Sequence, residues 1–193
     1  ACYKKPAAFK VGETYPLPPY STVKGMLHYL LDAKQFIPMQ ISIQGDFESR
    51  IVDYQSHYFF KKRDVAEFPL ITDGLAQTYD HQHMTTMPIF MHMLYNVNLI
   101  IHIAASEDIL AHLQQAFFSG PPISLGRWED LVRVDEVKYV HLDKLQVGDW
   151  LETPYSMYWP VSRPADVSGV PYRLNWKYDI VQGVRKWEKI KVR

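Results

Sequence analysis

The chain is poor in cysteine, carries no net charge and has no long apolar run, and each absence removes a class of protein. Its one cysteine, Cys2, permits no internal disulfide, which suits a reducing compartment and makes the cytoplasm the expected location. No apolar stretch approaches the ~20 residues that span a bilayer, so no membrane association is expected. Lys and Arg number 21, as do Asp and Glu, whereas a free-standing nucleic-acid binder ordinarily carries a basic surplus. There is no phosphate loop, dinucleotide fingerprint or nucleophile elbow, which leaves ATPase and hydrolase chemistry without a foothold. His81-x-His83, with His92 and His102, lacks a cysteine cluster or well-placed carboxylates, so no metal site and no cofactor are expected.

What is present is an ordinary globular composition, 47% hydrophobic and 22% charged over 193 residues. That is enough for one sizeable domain with an appendage. The basic residues cluster: Lys4, Lys5 and Lys10; Lys61-Lys62-Arg63; and Arg185, Lys186, Lys189, Lys191 and Arg193. In a subunit of an assembly, such patches and acidic ones facing protein neighbours would cancel in the sum.

Thr14 to His28, Thr-Tyr-Pro-Leu-Pro-Pro-Tyr-Ser-Thr-Val-Lys-Gly-Met-Leu-His, is the richest stretch. Each proline pushes the residue before it toward extended geometry. Ser21 then sits where an N-cap belongs, and Val23, Met26, Leu27, Leu30 and Leu31 follow at one-face helical spacing, predicting a helix over about 21–32. Exposed N–H groups, the Ser21 and Thr22 hydroxyls and Lys24 would form an anion-binding mouth suited to phosphate.

Period-2 alternation predicts strands over 39–47 and about 89–104, and another over about 131–141. Ser106 caps a helix over about 107–118 that Gly120-Pro121-Pro122 ends. Tyr172–Ile180 and Val184–Val192 flank Gln182-Gly183 as a β-hairpin. The order helix, strand, strand, helix, strand is βαββαβ with its first strand absent or truncated. It predicts an α+β, ferredoxin-like (RRM-type) sandwich, with residues upstream of Ala1 expected to complete the missing strand. The division expected is 1–145 as the main domain and 146–193 as a C-terminal β extension. Residues 48–87 form an insertion rich in Tyr and Phe where a turn would suffice.

Tyr-Pro-Leu-Pro-Pro-Tyr-Ser-Thr-Val-x-Gly-Met-Leu-His resembles a motif near the N-terminus of the CRISPR-associated Cas-five family. Leu125-Gly126-Arg127-Trp128-Glu129-Asp130-Leu131-Val132-Arg133 resembles that family's second block, which precedes its last ferredoxin strand. Family members hold the 5′ handle of the guide RNA (crRNA) in type I interference complexes (Cascade), and the form of the first motif resembles subtype I-B. The resemblance implies that insertion 48–87 is a thumb reaching a neighbouring subunit. It implies RNA contacts from Tyr20, Ser21, Thr22, Lys24, Lys61, Lys62, Arg63, Arg127, Trp128 and Arg133. The implied partners are the crRNA, the backbone subunit and the large subunit, with target DNA engaged indirectly through the complex.

Physically, Gly126 would let a backbone approach closely, Arg127 offers a planar fork, Trp128 can stack, and Glu129 or Asp130 can fix the arginines. The expectation is binding without catalysis. The enzymatic alternative is a metal-independent endoribonuclease cutting repeat RNA, as related type I-C subunits do, with Tyr20, Lys24 and His28 as the candidate set. A protein scaffold without RNA contact is the further alternative.

Overall fold

Proline decides where the first helix begins. In the computed structural model, which describes residues 1–6, 10–59, 85–143, 152–163 and 167–193, Pro19 is the N-cap with φ −58° and ψ 151°. Helix α1 then runs Tyr20–Leu30. The cap is therefore two residues earlier than Ser21, because the Pro19 carbonyl already accepts from Thr22 and Val23 N–H at 2.9 and 3.2 Å. Val23, Leu27 and Leu30 bury the inner face of α1.

The four-stranded sheet has the order β1-β3-β2-β4. Its members are β1 (Val11–Gly12), β2 (Gln40–Phe59), β3 (Thr85–Ala104) and β4 (Ser156–Met157). β1 lies parallel to β3, β2 and β3 are antiparallel, and β4 is antiparallel to β2. Helix α2 (Glu107–Ser119) follows β3, with Ser106 as its N-cap. A first strand parallel to the third, with two helices in the crossovers, is the ferredoxin-like α+β arrangement. β1 is two residues long, at a position where the sequence reading placed no strand. Ala1 adds to the same sheet, exchanging two 2.7 Å backbone hydrogen bonds with Leu94.

The aromatic-rich start of the insertion continues β2 without a break, so that β2 and β3 pair from Gln40↔Ala104 out to Phe59↔Thr85. Val, Ile and Tyr in Ile51–Tyr58 suit this long ribbon. The far end of the insertion, including Lys61, Lys62 and Arg63, lies outside the described residues.

The strand expected over 131–141 does not form. Leu131 makes one isolated bridge to Ser124, and residues 132–143 run outside any strand. Val132 and Val134 still pack on the core. The physical reason is the missing neighbour: a last ferredoxin strand pairs with the first, and here the first has almost no length to offer.

β5 (Tyr172–Val181) and β6 (Val184–Val192) form the expected hairpin. Gln182 and Gly183 both have positive φ, 52° and 76°, as a tight two-residue hairpin turn requires. The ribbon packs into the main core rather than standing apart. Leu174 and Val192 are fully buried, and the Tyr172 ring meets Tyr15 and Tyr158 edge-on at 5.6 and 6.4 Å. A register shift between Asn175 and Lys177 breaks the simple alternation read from sequence, so Tyr178 and Ile180 leave the face that Leu174 occupies.

Candidate nucleic-acid interface

The N-terminal residues Cys2 and Tyr3 bring the two motif blocks together. On one side, Tyr3 N–H donates to Thr14 Oγ1 at 2.8 Å and Tyr15 N–H donates to the Tyr3 carbonyl at 2.8 Å. On the other, Cys2 N–H donates to Asp130 Oδ2 at 2.9 Å. Thr14 and Asp130 are more than a hundred residues apart in the chain, and the two residues Cys2 and Tyr3 join them.

The second block is a rigid loop. Arg127 donates to Asp130 through Nε (3.2 Å to Oδ2) and Nη2 (2.8 Å to Oδ1), while its backbone N–H donates to Oδ2 at 3.0 Å. Its Nη1 pairs with Glu129 at 2.8 Å. Burial alone would push the Asp130 carboxyl up. The hydrogen bonds from Arg127 and from Cys2 N–H, with the guanidinium charge, outweigh it and hold the pKa below the ordinary value. The same bond to Asp130 raises Arg127, against its burial. Gly126 has φ +116°, and a Cβ there would lie 2.9 Å from both Asp130 Oδ2 and the Cys2 carbonyl. Only glycine allows that approach. The result is a tip on which Trp128 stands 86% exposed, a large aromatic face offered to solvent by a loop pinned at its base. Arg133 is also exposed and pairs with Asp135 at 2.6 Å.

The first block is arranged differently from the expected phosphate mouth. Ser21 and Thr22 sit half-buried in the first turn of α1, where the earliest N–H groups have no intrahelical acceptor. Tyr20 turns inward: it is buried, and its hydroxyl donates to the Tyr158 carbonyl at 3.2 Å. Tyr158 in turn donates to the Leu17 carbonyl at 2.6 Å, which holds the proline segment against the core. Burial pushes Tyr20 up to about 12.

Lys24, expected at the phosphate surface, is only 6% exposed. Its Nζ lies 3.7 Å from the Trp176 ring centroid and 4.9 Å from that of Phe36, with no hydrogen-bond partner among the described residues. Burial is the first cause that lowers its pKa to about 8; Lys177 adds to the effect and Glu188 opposes it. The C-terminal ribbon covers it, which no local reading of Thr14–His28 could show.

His28 acts as a staple. Ile37 N–H donates to its Nε2 at 3.0 Å, so the proton sits on Nδ1, which donates to the Lys24 carbonyl at 2.8 Å. Tyr20, Lys24 and His28 thus each have a packing or bonding role in this conformation, and do not converge on one open cleft. Sequence reasoning gave no weight to Cys2, Tyr158 or Trp176. The first has no local motif, and the other two act through contacts across more than a hundred residues.

Two long β-strands, two helices and a clasped pair of loops on a reduced first strand define a ferredoxin-like α+β protein. The chain belongs to the CRISPR-associated Cas5 family: the family model described as "CRISPR-associated protein (Cas_Cas5)" matches residues 1–155, a span that includes both motif blocks. Among solved structures it is similar to a chain of a "CRISPR RNA-guided surveillance complex". The TM-score is 0.55 at 14% identity, covering 100% of this chain and 83% of that one; this likeness speaks to the fold. No curated protein matches the chain.

Proposed function

We propose that this protein binds the 5′ handle of the guide RNA within a type I CRISPR surveillance complex of subtype I-B, and does so without cutting it. The observation that carries the reading is the clasp. Both family motif blocks meet on Cys2–Tyr3, and the pinned loop between them and solvent presents Trp128. A splayed single-stranded nucleotide is recognised by stacking on such a face. Ser21 and Thr22, with the first-turn N–H groups, are the phosphate-side partners nearest to the clasp in sequence, and Arg133 is an exposed cation on the same block. Arg127 serves by holding the loop, since Asp130 and Glu129 occupy its donors. Lys24 and Tyr20 contribute from beneath, by fixing α1 and the proline segment. Lys61, Lys62 and Arg63 are assigned to RNA or to the adjacent backbone subunit, with the large subunit as a further neighbour. Target DNA is reached through the guide's base pairing.

The test is a complex reconstituted with and without Trp128→Ala and probed by nuclease footprinting of the handle. Loss of handle protection with the rest of the guide still covered is expected. Equal protection with Trp128→Ala and with Ser21→Ala/Thr22→Ala would overturn the reading and leave a protein scaffold. Incubating the purified chain with repeat RNA in the absence of metal separates binding from cleavage. A discrete product that disappears in His28→Ala would reinstate the endoribonuclease.

A further inference from the structure

The outward face of the C-terminal ribbon concentrates cations in a way the neutral composition hides. Along β6 side chains alternate, and Ile190 and Val192 face the core. Arg185, Trp187, Lys189 and Lys191 therefore share the opposite face. The register places Arg173 opposite Lys191 and Tyr178 opposite Trp187. The geometry agrees: Tyr178 meets Trp187 at 4.9 Å, and the Arg185 guanidinium lies 4.7 Å from the Tyr178 ring. The shift at Asn175/Lys177 is what brings Tyr178 to this side.

The ribbon's carboxylates are on the other face. Glu188 pairs with Lys177 at 3.2 Å, and Asp179 lies opposite Lys186. The outward face therefore holds Arg173, Arg185, Lys189 and Lys191 and no acid. All four are exposed, and among the described residues none has an ion-pair partner. Alternate residues on a strand are ~6.6–6.8 Å apart, comparable to the step between successive phosphates of a nucleic-acid backbone.

We propose that this face is a second nucleic-acid-binding surface, on which a single strand runs along β6 with its phosphates on Arg185, Lys189, Lys191 and Arg173 and its bases against Tyr178 and Trp187. Cations interleaved with aromatic rings fit a single-stranded polynucleotide; an acidic protein would use the charges and leave the rings idle. The surface faces away from α1, which packs beneath β5. It needs no handle sequence, so it is independent of the handle reading.

The test uses the full chain, with fluorescence anisotropy of labelled oligouridylate and oligothymidylate over a salt series. Wild type should bind at low salt, and preference for one oligomer tells RNA from DNA as the strand. Lys189→Gln/Lys191→Gln removes two phosphate contacts. It should weaken binding about 10- to 30-fold at ~0.1 M salt and make the log–log salt slope shallower by about 1.4. Lys138→Gln/Lys186→Gln removes the same charge elsewhere and should leave both unchanged. Lys189→Arg/Lys191→Arg should retain binding, which excludes a folding defect as the cause of loss. Nuclease footprinting of the handle in the reconstituted complex reads the other site separately, which keeps failure of this proposal distinct from failure of the handle reading. The proposal is overturned if wild type ignores both oligomers, if the two charge-matched variants weaken equally, or if poly-glutamate displaces the oligomer as well as unlabelled RNA does.

Discussion

Replacing Lys24 by methionine should leave the protein at least as stable at neutral pH, although it deletes a charge that lies within the Thr14–His28 block. Burial lowers the Lys24 pKa from 10.5 to about 8. At ~1.4 kcal/mol per pKa unit, holding the ammonium charged at neutral pH costs about 3 kcal/mol. The rings of Trp176 and Phe36, 3.7 and 4.9 Å from the ammonium, return roughly 2 kcal/mol of that, so burial still decides the sign of the shift. Methionine keeps the unbranched stem and adds sulfur–ring contacts of about 0.3–1.5 kcal/mol. The expected net gain for Lys24→Met is about 1 kcal/mol.

The pH dependence gives a sharper signature. The folded pKa lies below the unfolded one, so on raising pH the folded state loses this proton first. Wild-type stability therefore rises through the window between about 8 and 10.5, because the unfolded chain holds more protons there. From about pH 7 to about pH 9.5, wild type should gain roughly 1–2 kcal/mol relative to Lys24→Met. Urea unfolding followed by tryptophan fluorescence measures both quantities. A loss of more than about 1 kcal/mol in Lys24→Met, by an amount constant across this window, would refute the reasoning. The two rings would then be a favourable seat for a permanently charged lysine.

Three further outcomes follow from the clasp. Asp130→Asn should cost about 2–4 kcal/mol, because it leaves a half-buried Arg127 without its bidentate partner. The Asp130 pKa is held down, so its contribution is present above the ordinary carboxylate pKa and is lost as pH falls through the folded value. Acid unfolding curves should therefore be flatter in Asp130→Asn than in wild type. Gly126→Ala should destabilise by about 1–3 kcal/mol in thermal melts, from the strain of φ +116° and the 2.9 Å approach to the Cys2 carbonyl. Trp128→Ala should leave the melting curve within ~0.5 kcal/mol of wild type yet weaken handle RNA by about 1–3 kcal/mol in the assembled complex. Unequal melting curves would place that ring in the fold instead.

Much of the fold was legible because its signals are local. The Tyr172–Val192 hairpin, the two helices and the inner part of the β2–β3 pair, 40–47 against 97–104, each carry their own period, and Gln182-Gly183 marks its own turn. The ion pairing of Arg127 with its acidic neighbours is a three-residue affair and could be read from the loop. The helix cap at Pro19 was misplaced by two residues, because a Ser-Thr pair outcompetes a proline as a sequence signal while the Pro19 carbonyl decides the matter in space. The 131–141 strand failed for the opposite reason. Its alternation is genuine, but a strand exists only with a partner, and the first strand is too short to supply one.

By itself, then, the sequence determined the α+β class, the family and its two motif blocks, since apolar periodicity, capping chemistry and motif spacing are properties of neighbouring residues. Only the tertiary structure decided which side of those motifs faces outward. Lys24 and Tyr20 point into the molecule because the C-terminal ribbon and Tyr158, more than a hundred residues away, cover them. Trp128 points out because Asp130 ties its loop to Cys2. A single extra residue in β5 moves Tyr178 beside Trp187 and completes a basic, aromatic face. Burial is a property of what packs against a residue, and nothing within a few positions of Lys24 encodes Trp176.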